Sequence, residues 1–260
     1  MSTYGSFKAV ELVYLSTRGR QVLRYGIVSL MSTTETVVVS VGGSLIVPDA
    51  IDATFLKRFK RFVLLQIENG KRFVIITGGG KTARRYQDVA RKVSKLTADD
   101  LDWLGVHATR LNGHLLRTIF RDIAHPVIIT NPDDVLDVPK KAKLVVAAGY
   151  RPGASTDLRA VQIAMHLGAR RLINLSNIDY AYTKDPNTHK DAERIKEADW
   201  PSFRALLPPQ WDPGLSSPFD PVAAQEAERA HIEVVIINGK RLGQVERYLK
   251  GDSFIGTRIR

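Results

Sequence analysis

The stretch Phe73-Val74-Ile75-Ile76-Thr77-Gly78-Gly79-Gly80-Lys81 decides the fold. A short run of aromatic and β-branched residues reads as a strand buried on both faces, and it ends in three glycines followed by a cation. The same grammar recurs twice. Thr36 to Val41 runs into Gly42-Gly43-Ser44, and Leu144 to Ala148 runs into Gly149 and then Pro152-Gly153-Ala154-Ser155-Thr156-Asp157. Val127 to Thr130, Arg171 to Leu175 and Val234 to Ile237 are further strand candidates. Between the first two strands, Ile51, Phe55, Phe59, Phe62, Val63 and Ile67 fall on one helical stripe, with Lys57, Arg58, Lys60 and Arg61 mostly elsewhere. That segment is an amphipathic crossover helix whose basic residues form a solvated face. Strands alternating with such helices predict an α/β domain with a parallel sheet.

In a parallel sheet, the three glycine loops emerge at one edge, where open α/β folds bind ligands. Bare loop amides there can approach an anion closely, since glycine has no side chain in the way. Lys81, Arg84 and Arg85 open the helix after the second loop and add cations to its positive end, which predicts a polyphosphate cradle. Two familiar motifs are excluded. A P-loop needs a glycine five residues before Gly80, where Ile75 stands, and a dinucleotide fingerprint fails because Ala83 occupies the third glycine position with no acidic ribose partner placed as expected.

From Asp99 to Ala124 a helix is predicted, with Leu101, Leu104, Ala108, Leu111 and Leu115 as its buried seam. A neighbouring stripe of Asp102, Gly105, Thr109 and Asn112 sets a carboxylate, a bare position, a hydroxyl and an amide on one face, suited to line a cleft. The proline-rich stretches 208–214 and 216–221 read as loops, and no internal repeat or low-complexity tract is present.

The 260 residues are 44% hydrophobic and 25% charged, enough for a sizeable core. With no cysteine, disulfide frameworks, thiolate metal sites and cysteine nucleophiles are excluded, and a cytoplasmic protein is the simplest expectation. A net charge of +11 favours phosphate-bearing ligands. Nucleic acid is not expected as a partner, because basic and aromatic residues do not interleave. Nor is a membrane expected, because no apolar run reaches eighteen residues. Residues 1–35 lack the pattern of a signal peptide and read as an appended arm or a start assigned too early, the alternative being an extra strand and turn packed on the domain.

Taken in order, Val41-Gly42-Gly43-Ser44, Gly78-Gly79-Gly80-Lys81-Thr82-Ala83-Arg84, Asp102-Trp103-Leu104-Gly105, Pro152 to Asp157, Asn177 to Pro186 and Phe219-Asp220-Pro221-Val222-Ala223-Ala224 carry a resemblance. Over residues 36–260 the chain resembles the amino-acid kinase superfamily and, within it, the uridylate kinases of the archaeal-type branch. The resemblance implies a three-layer αβα sandwich with a mainly parallel central sheet, whose N-terminal part binds the phosphate acceptor and C-terminal part ATP. It implies transfer of a phosphoryl group from ATP to UMP with Mg²⁺, in a homo-hexamer. Carried over by position, Gly79 would contact the UMP phosphate, Asp102 the ribose, and Tyr150, Arg151, Pro152, Gly153, Ala154, Ser155 and Thr156 the uridine side. Gly43, Ser44, Gly80 and Arg84 would face the transferring group, and Ser176, Tyr182 and Asp185 the adenosine. Lys81, Arg84 and Asp157 are the expected catalytic residues, Asp157 as an organiser of a cation; the alternative for Asp157 is the N-cap of the helix Leu158 to Leu167. No metal ligand is assigned.

The sequence also departs from the superfamily. Ser40 and Asn177 stand where many members carry lysines; the archaeal-type branch also lacks that pair, leaving Lys81 as the nearest replacement and Lys184 as the second. Asp179-Tyr180 replaces the usual Asp-Gly, so that turn has to avoid a left-handed backbone or bear strain. Alternative readings are another kinase of this fold, acting on a carboxylate, carbamate or isoprenoid phosphate, and a nucleotide- or oxyanion-binding storage or sensor protein. The isoprenoid-phosphate members carry a histidine soon after the glycine triplet, and Lys81 to Gln87 contain none.

Overall fold

The structure, a computed structural model, describes residues 34–209 and 217–260; the expectation for the N-terminal arm and the middle of the proline-rich loop lie outside them. Its frame is a seven-stranded sheet of order β3-β2-β1-β4-β8-β9-β7. The strands are β1 Thr36–Val41, β2 Arg72–Thr77, β3 Leu144–Ala147, β4 Arg171–Ser176, β7 Glu197–Ala198, β8 Glu233–Asn238 and β9 Thr257–Ile259. β3, β2, β1, β4 and β8 run parallel, while β9 pairs antiparallel with β8. A separate hairpin pairs β5 Ala181–Tyr182 with β6 Arg194–Ile195.

The continuous apolar runs are strands because both faces of this sheet are covered. Val37, Val39, Val41, Phe73 and Ile75 face a core completed by Phe55, Phe59, Phe62 and Val63 of α2 Ala53–Glu68 and by Val245 of α8 Leu242–Lys250. Val38, Val74 and Ile76 face the opposite core, completed by Ala160, Val161 and Ala164 of α5 Thr156–His166 and by Phe203 and Ala224 of α6 Trp200–Arg204 and α7 Pro221–Arg229. The period-two alternation thus divides each strand between two cores, and the expected three-layer αβα sandwich follows. α1 Gly43–Ile46, α3 Gly80–Val93 and α4 Ala98–Ile119 complete the α-helices among the described residues.

Three expectations are corrected. Val127 to Thr130 forms no strand; only Ile129 makes a bridge, to Ala147. Ile51 lies outside α2 and is 59% exposed. The leucine seam of α4 is buried only in part: Ala108 is buried and Leu115 packs on the core, but Leu101 and Leu104 are half-buried and Leu111 is 63% exposed, whereas Asp102, Val106, Thr109, Asn112 and Leu116 are buried. Polar residues displace leucines from that face because the loops beside it present backbone groups that need partners. Tyr180 has no positive φ, so the Asp179-Tyr180 turn does avoid the left-handed region.

Candidate active site

The parallel register brings the carboxyl ends of β1, β2 and β3 side by side, and the three glycine loops open into one cavity. Gly42, Gly43 and Ser44 line it from the first loop, Gly78, Gly79 and Gly80 from the second, and Gly149, Ala154, Ser155, Thr156 and Asp157 from the third. The first two loops interlock. A Cβ at Gly43 would lie 2.3 Å from the Gly80 amide nitrogen, and Gly80 itself has φ +60°. Only glycine fits both positions. The N-termini of α3 and α5 abut this cavity, so their free amides and dipoles favour an anion there.

The polar stripe of α4 splints the loops. Asn112 Nδ2 donates to the Gly78 carbonyl at 2.8 Å, the Gly149 amide donates to Thr109 Oγ1 at 2.8 Å, and the Gly153 amide donates to Asp102 Oδ2 at 2.7 Å. Thr77 Oγ1 donates to the Thr109 carbonyl at 2.9 Å. Asn112, Thr109 and Asp102 thereby each satisfy a backbone group that a glycine loop leaves over. Burial raises the Asp102 carboxyl above its usual range, and the Gly153 amide partly opposes the shift.

Asp157 sits two residues past the N-cap of α5, which is Ser155, whose hydroxyl accepts from the Leu158 amide at 3.1 Å. The cap alternative for Asp157 therefore falls. Its carboxyl instead accepts from Ser40 Oγ at 3.1 Å, across the gap between α5 and β1. Burial first, and the neighbouring Asp220 carboxylate second, push its pKa up to about 7. Asp220 caps α7 through the Ala223 amide at 2.6 Å, and burial raises its pKa as well.

Not every expected residue converges. Arg84 lines the cavity, but Lys81 does not; its ammonium lies 2.8 Å from Asp49 Oδ1, on the exposed side of α3 where Arg85 also meets Asp49. Lys184 is paired with Asp191. Tyr150, Arg151, Pro152 and Gly153 are not among the lining residues, although Arg110 clamps the Gly149 and Tyr150 carbonyls at 3.1 and 2.6 Å. Tyr182 and Asp185 line a second cavity with Asn177, Phe203 and Leu206, and both cavities share Ser176, Ser217 and Pro218. Asp185 also holds a turn, its Oδ1 accepting from the Asn187 amide at 2.9 Å.

Ser40, Gln87, Asn174, Ser217 and Pro218 also line the first cavity and were not singled out as site residues from sequence. Ser40 and Asn174 did leave a signal, as lone polar residues inside apolar strands. Gln87 and Ser217 left none.

The amino acid kinase family matches residues 35–238. A protein named uridylate kinase from Thermoplasma acidophilum is 32% identical over 226 residues, 86% of this chain and 96% of that protein. One of the same name from Sulfolobus acidocaldarius is 33% identical over 193 residues, 74% of this chain and 85% of that protein. The crystal structure of uridylate kinase from Archaeoglobus fulgidus superimposes with a TM-score of 0.73 at 25% identity, covering 87% of this chain and all of that one.

Proposed function

The chain belongs to the amino acid kinase family, and we propose that it transfers the γ-phosphoryl group of ATP to UMP, giving UDP and ADP. The observation that carries this reading is two adjacent cavities that share Ser176, Ser217 and Pro218 in their walls: a glycine-walled one fit for phosphates and one walled by Tyr182, Phe203 and Leu206, fit for a base. Archaeal relatives named uridylate kinase support the choice of acceptor.

In this assignment UMP lies toward Asp102 and the third loop, with its phosphate against Gly79, and ATP lies toward Tyr182 and Asp185. A phosphate oxygen of UMP forms the new bond to the γ-phosphorus as the bond from that phosphorus to the β–γ bridging oxygen breaks, and the electron pair leaves with ADP. The attacking oxygen is already anionic, so no general base is needed. What the protein supplies is in-line placement and neutralisation of the charge on the moving group. Amides of Gly43, Ser44 and Gly80 and the Arg84 guanidinium do this at the equatorial oxygens, and Lys81 stands at the rim on Asp49.

Among the described residues, no cluster of three or more metal-ligating side chains exists. A Mg²⁺ ion would accompany ATP, since such a cation takes oxygen ligands and needs few of them from protein side chains. The oxygen donors lining the cavity, Asp157, Ser40 and Asn174, fit such an ion. It would supply charge neutralisation for the transferring phosphoryl group, with Asp157 as the organising carboxylate. No described helix is long and apolar enough to cross a membrane. With its cysteine-free sequence and nucleotide substrates, the protein is proposed to act in the cytoplasm, as a homo-oligomer.

The test is ADP release by the purified protein with Mg²⁺ and ATP. Release that depends on added UMP supports the reading. Tight ATP binding with no ADP release on any acceptor would instead support the storage or sensor alternative.

A further inference from the structure

Gln87 lines the glycine-walled cavity from the second turn of α3 and is only 4% exposed. A polar side chain this deep needs partners for its oxygen and for both of its N–H groups. The protein supplies one of them: Nε2 donates to the Leu101 carbonyl at 2.8 Å, which fixes the amide. Among the described residues Oε1 accepts no hydrogen bond, yet it is not sealed in the interior as Gln66 Nε2 is. Gly79, Ala83 and Gln87 follow at intervals of four, so they share one face, and side chains on a helix lean toward its N-terminus. The amide therefore reaches back toward the loop of Gly79. Opposite, α4 presents the bare Cα of Gly105, where a Cβ would lie 3.4 Å from Gln87 Nε2 and 3.7 Å from Asp102 Oδ1. Gln87 and Asp102 thus border the same gap. Asp102 Oδ2 already accepts from the Gly153 amide, so Oδ1 is the oxygen left for a ligand.

We infer that Gln87 holds one ribose hydroxyl of the acceptor nucleotide while Asp102 Oδ1 holds the other, so that the two residues together read the intact ribose. The inference rests on the phosphotransfer reading and its placing of UMP, and adds to it a second residue that selects the sugar. An amide suits a hydroxyl at either end, because Oε1 accepts and the remaining Nε2–H donates, whereas an ionised carboxylate oxygen can only accept. Two neighbouring hydroxyls therefore find two partners of different kind across one gap. An analogue that lacks a hydroxyl leaves its partner buried and unpaired, and sites built to bond a hydroxyl discriminate against such analogues. The bond to Leu101 holds the amide in place before the nucleotide arrives, so little order is lost on binding.

The experiment measures kcat/KM for UMP, 2′-deoxy-UMP and 3′-deoxy-UMP at saturating ATP and Mg²⁺ in the wild type and in Gln87→Met, which keeps the length of the side chain but removes its amide. In the variant the UMP value is expected to fall at least about tenfold. The analogue that lacks the hydroxyl held by Gln87 should stay within a factor of about three of its wild-type value, while the other analogue falls as UMP does. The KM for ATP should be unchanged. Equal losses on all three nucleotides, or no loss on UMP, would overturn the assignment and leave phosphotransfer intact. The wild type alone carries a second test that does not depend on a variant folding: each deoxy analogue should be used at least about tenfold less efficiently than UMP. Full efficiency with either analogue would overturn the inference. Turnover of no acceptor by the wild type would overturn the phosphotransfer reading and this assignment with it.

Discussion

Gly43 and Gly80 occupy each other's side-chain space: a Cβ on Gly43 would lie 2.3 Å from the Gly80 nitrogen, and one on Gly80 would lie 2.3 Å from the Gly43 carbonyl carbon. The two loops are therefore one interlocked surface, set by the parallel pairing of β1 with β2 from Thr36 to Val41. Gly43→Ala must part the loops. The expected result is a loss of activity of about a hundredfold or more, since small misplacements near transferring groups are costly. The clash should also lower stability by about 1–3 kcal/mol, read as a lower Tm. Gly70→Ala, at a positive φ with open space around it, serves as the control for backbone strain without loop collision.

Asp157 gives a pH signature with opposite signs for activity and stability. Its folded-state pKa of about 7 lies above its unfolded value, so its contribution to stability is fully present in acid and is lost as pH rises toward and through 7. Asp157→Asn removes that penalty and should raise Tm at pH 8 relative to the wild type, with little difference at pH 4. Activity behaves in the reverse way. The ionised carboxylate is the form that organises a cation, so wild-type kcat should climb between pH 6 and 8, and the variant should be weakly active with a flat profile. Matching profiles for the two proteins would contradict this role.

The two candidate cations are separated by position. Arg84 lines the cavity, while Lys81 is held by Asp49. Arg84→Met is expected to cost about 10²–10³ in kcat/KM, the scale of losing a charged stabiliser of the transition state. Lys81→Met should cost about tenfold or less, the scale of an exposed ion pair and a rim charge. A larger loss at Lys81 than at Arg84 would show that the ammonium leaves Asp49 during the reaction.

Much of the frame was legible in the sequence because it follows from local pattern. The runs at Thr36, Arg72, Leu144, Arg171 and Glu233 are strands since nothing but a sheet covered on both faces buries them. The short strands Glu197–Ala198 and Thr257–Ile259 were not legible, for two or three residues carry no period and take their conformation from their neighbours. The leucine seam of α4 misled for a physical reason. Hydrophobicity assigns Leu101, Leu104 and Leu111 to the core, but the loops beside the helix need hydrogen bonds, so Asp102, Thr109 and Asn112 are turned inward. The same polar stripe was visible as a pattern; that it acts as a splint became visible only with its partners in place. The pairing of Lys81 with Asp49, thirty-two residues apart, leaves no trace in the chain.

That splint makes its own prediction. Asn112→Leu fits the apolar pattern of α4 yet leaves the Gly78 carbonyl without its side-chain donor. The fold should persist, with a cost of about 1–3 kcal/mol for the unsatisfied group. The KM for UMP should rise more than the KM for ATP, because the second loop is the one assigned to the acceptor phosphate. Equal effects on both substrates would remove that assignment.

Labelled ATP and Mg²⁺ offered to the protein with UMP, CMP, acetylglutamate and isopentenyl phosphate in competition will show which acceptor takes the phosphoryl group. The label is expected to pass to UMP in strong preference to the other three, with one ADP formed per UDP. Preferential label on any other acceptor, or ATP retained without transfer, would contradict it.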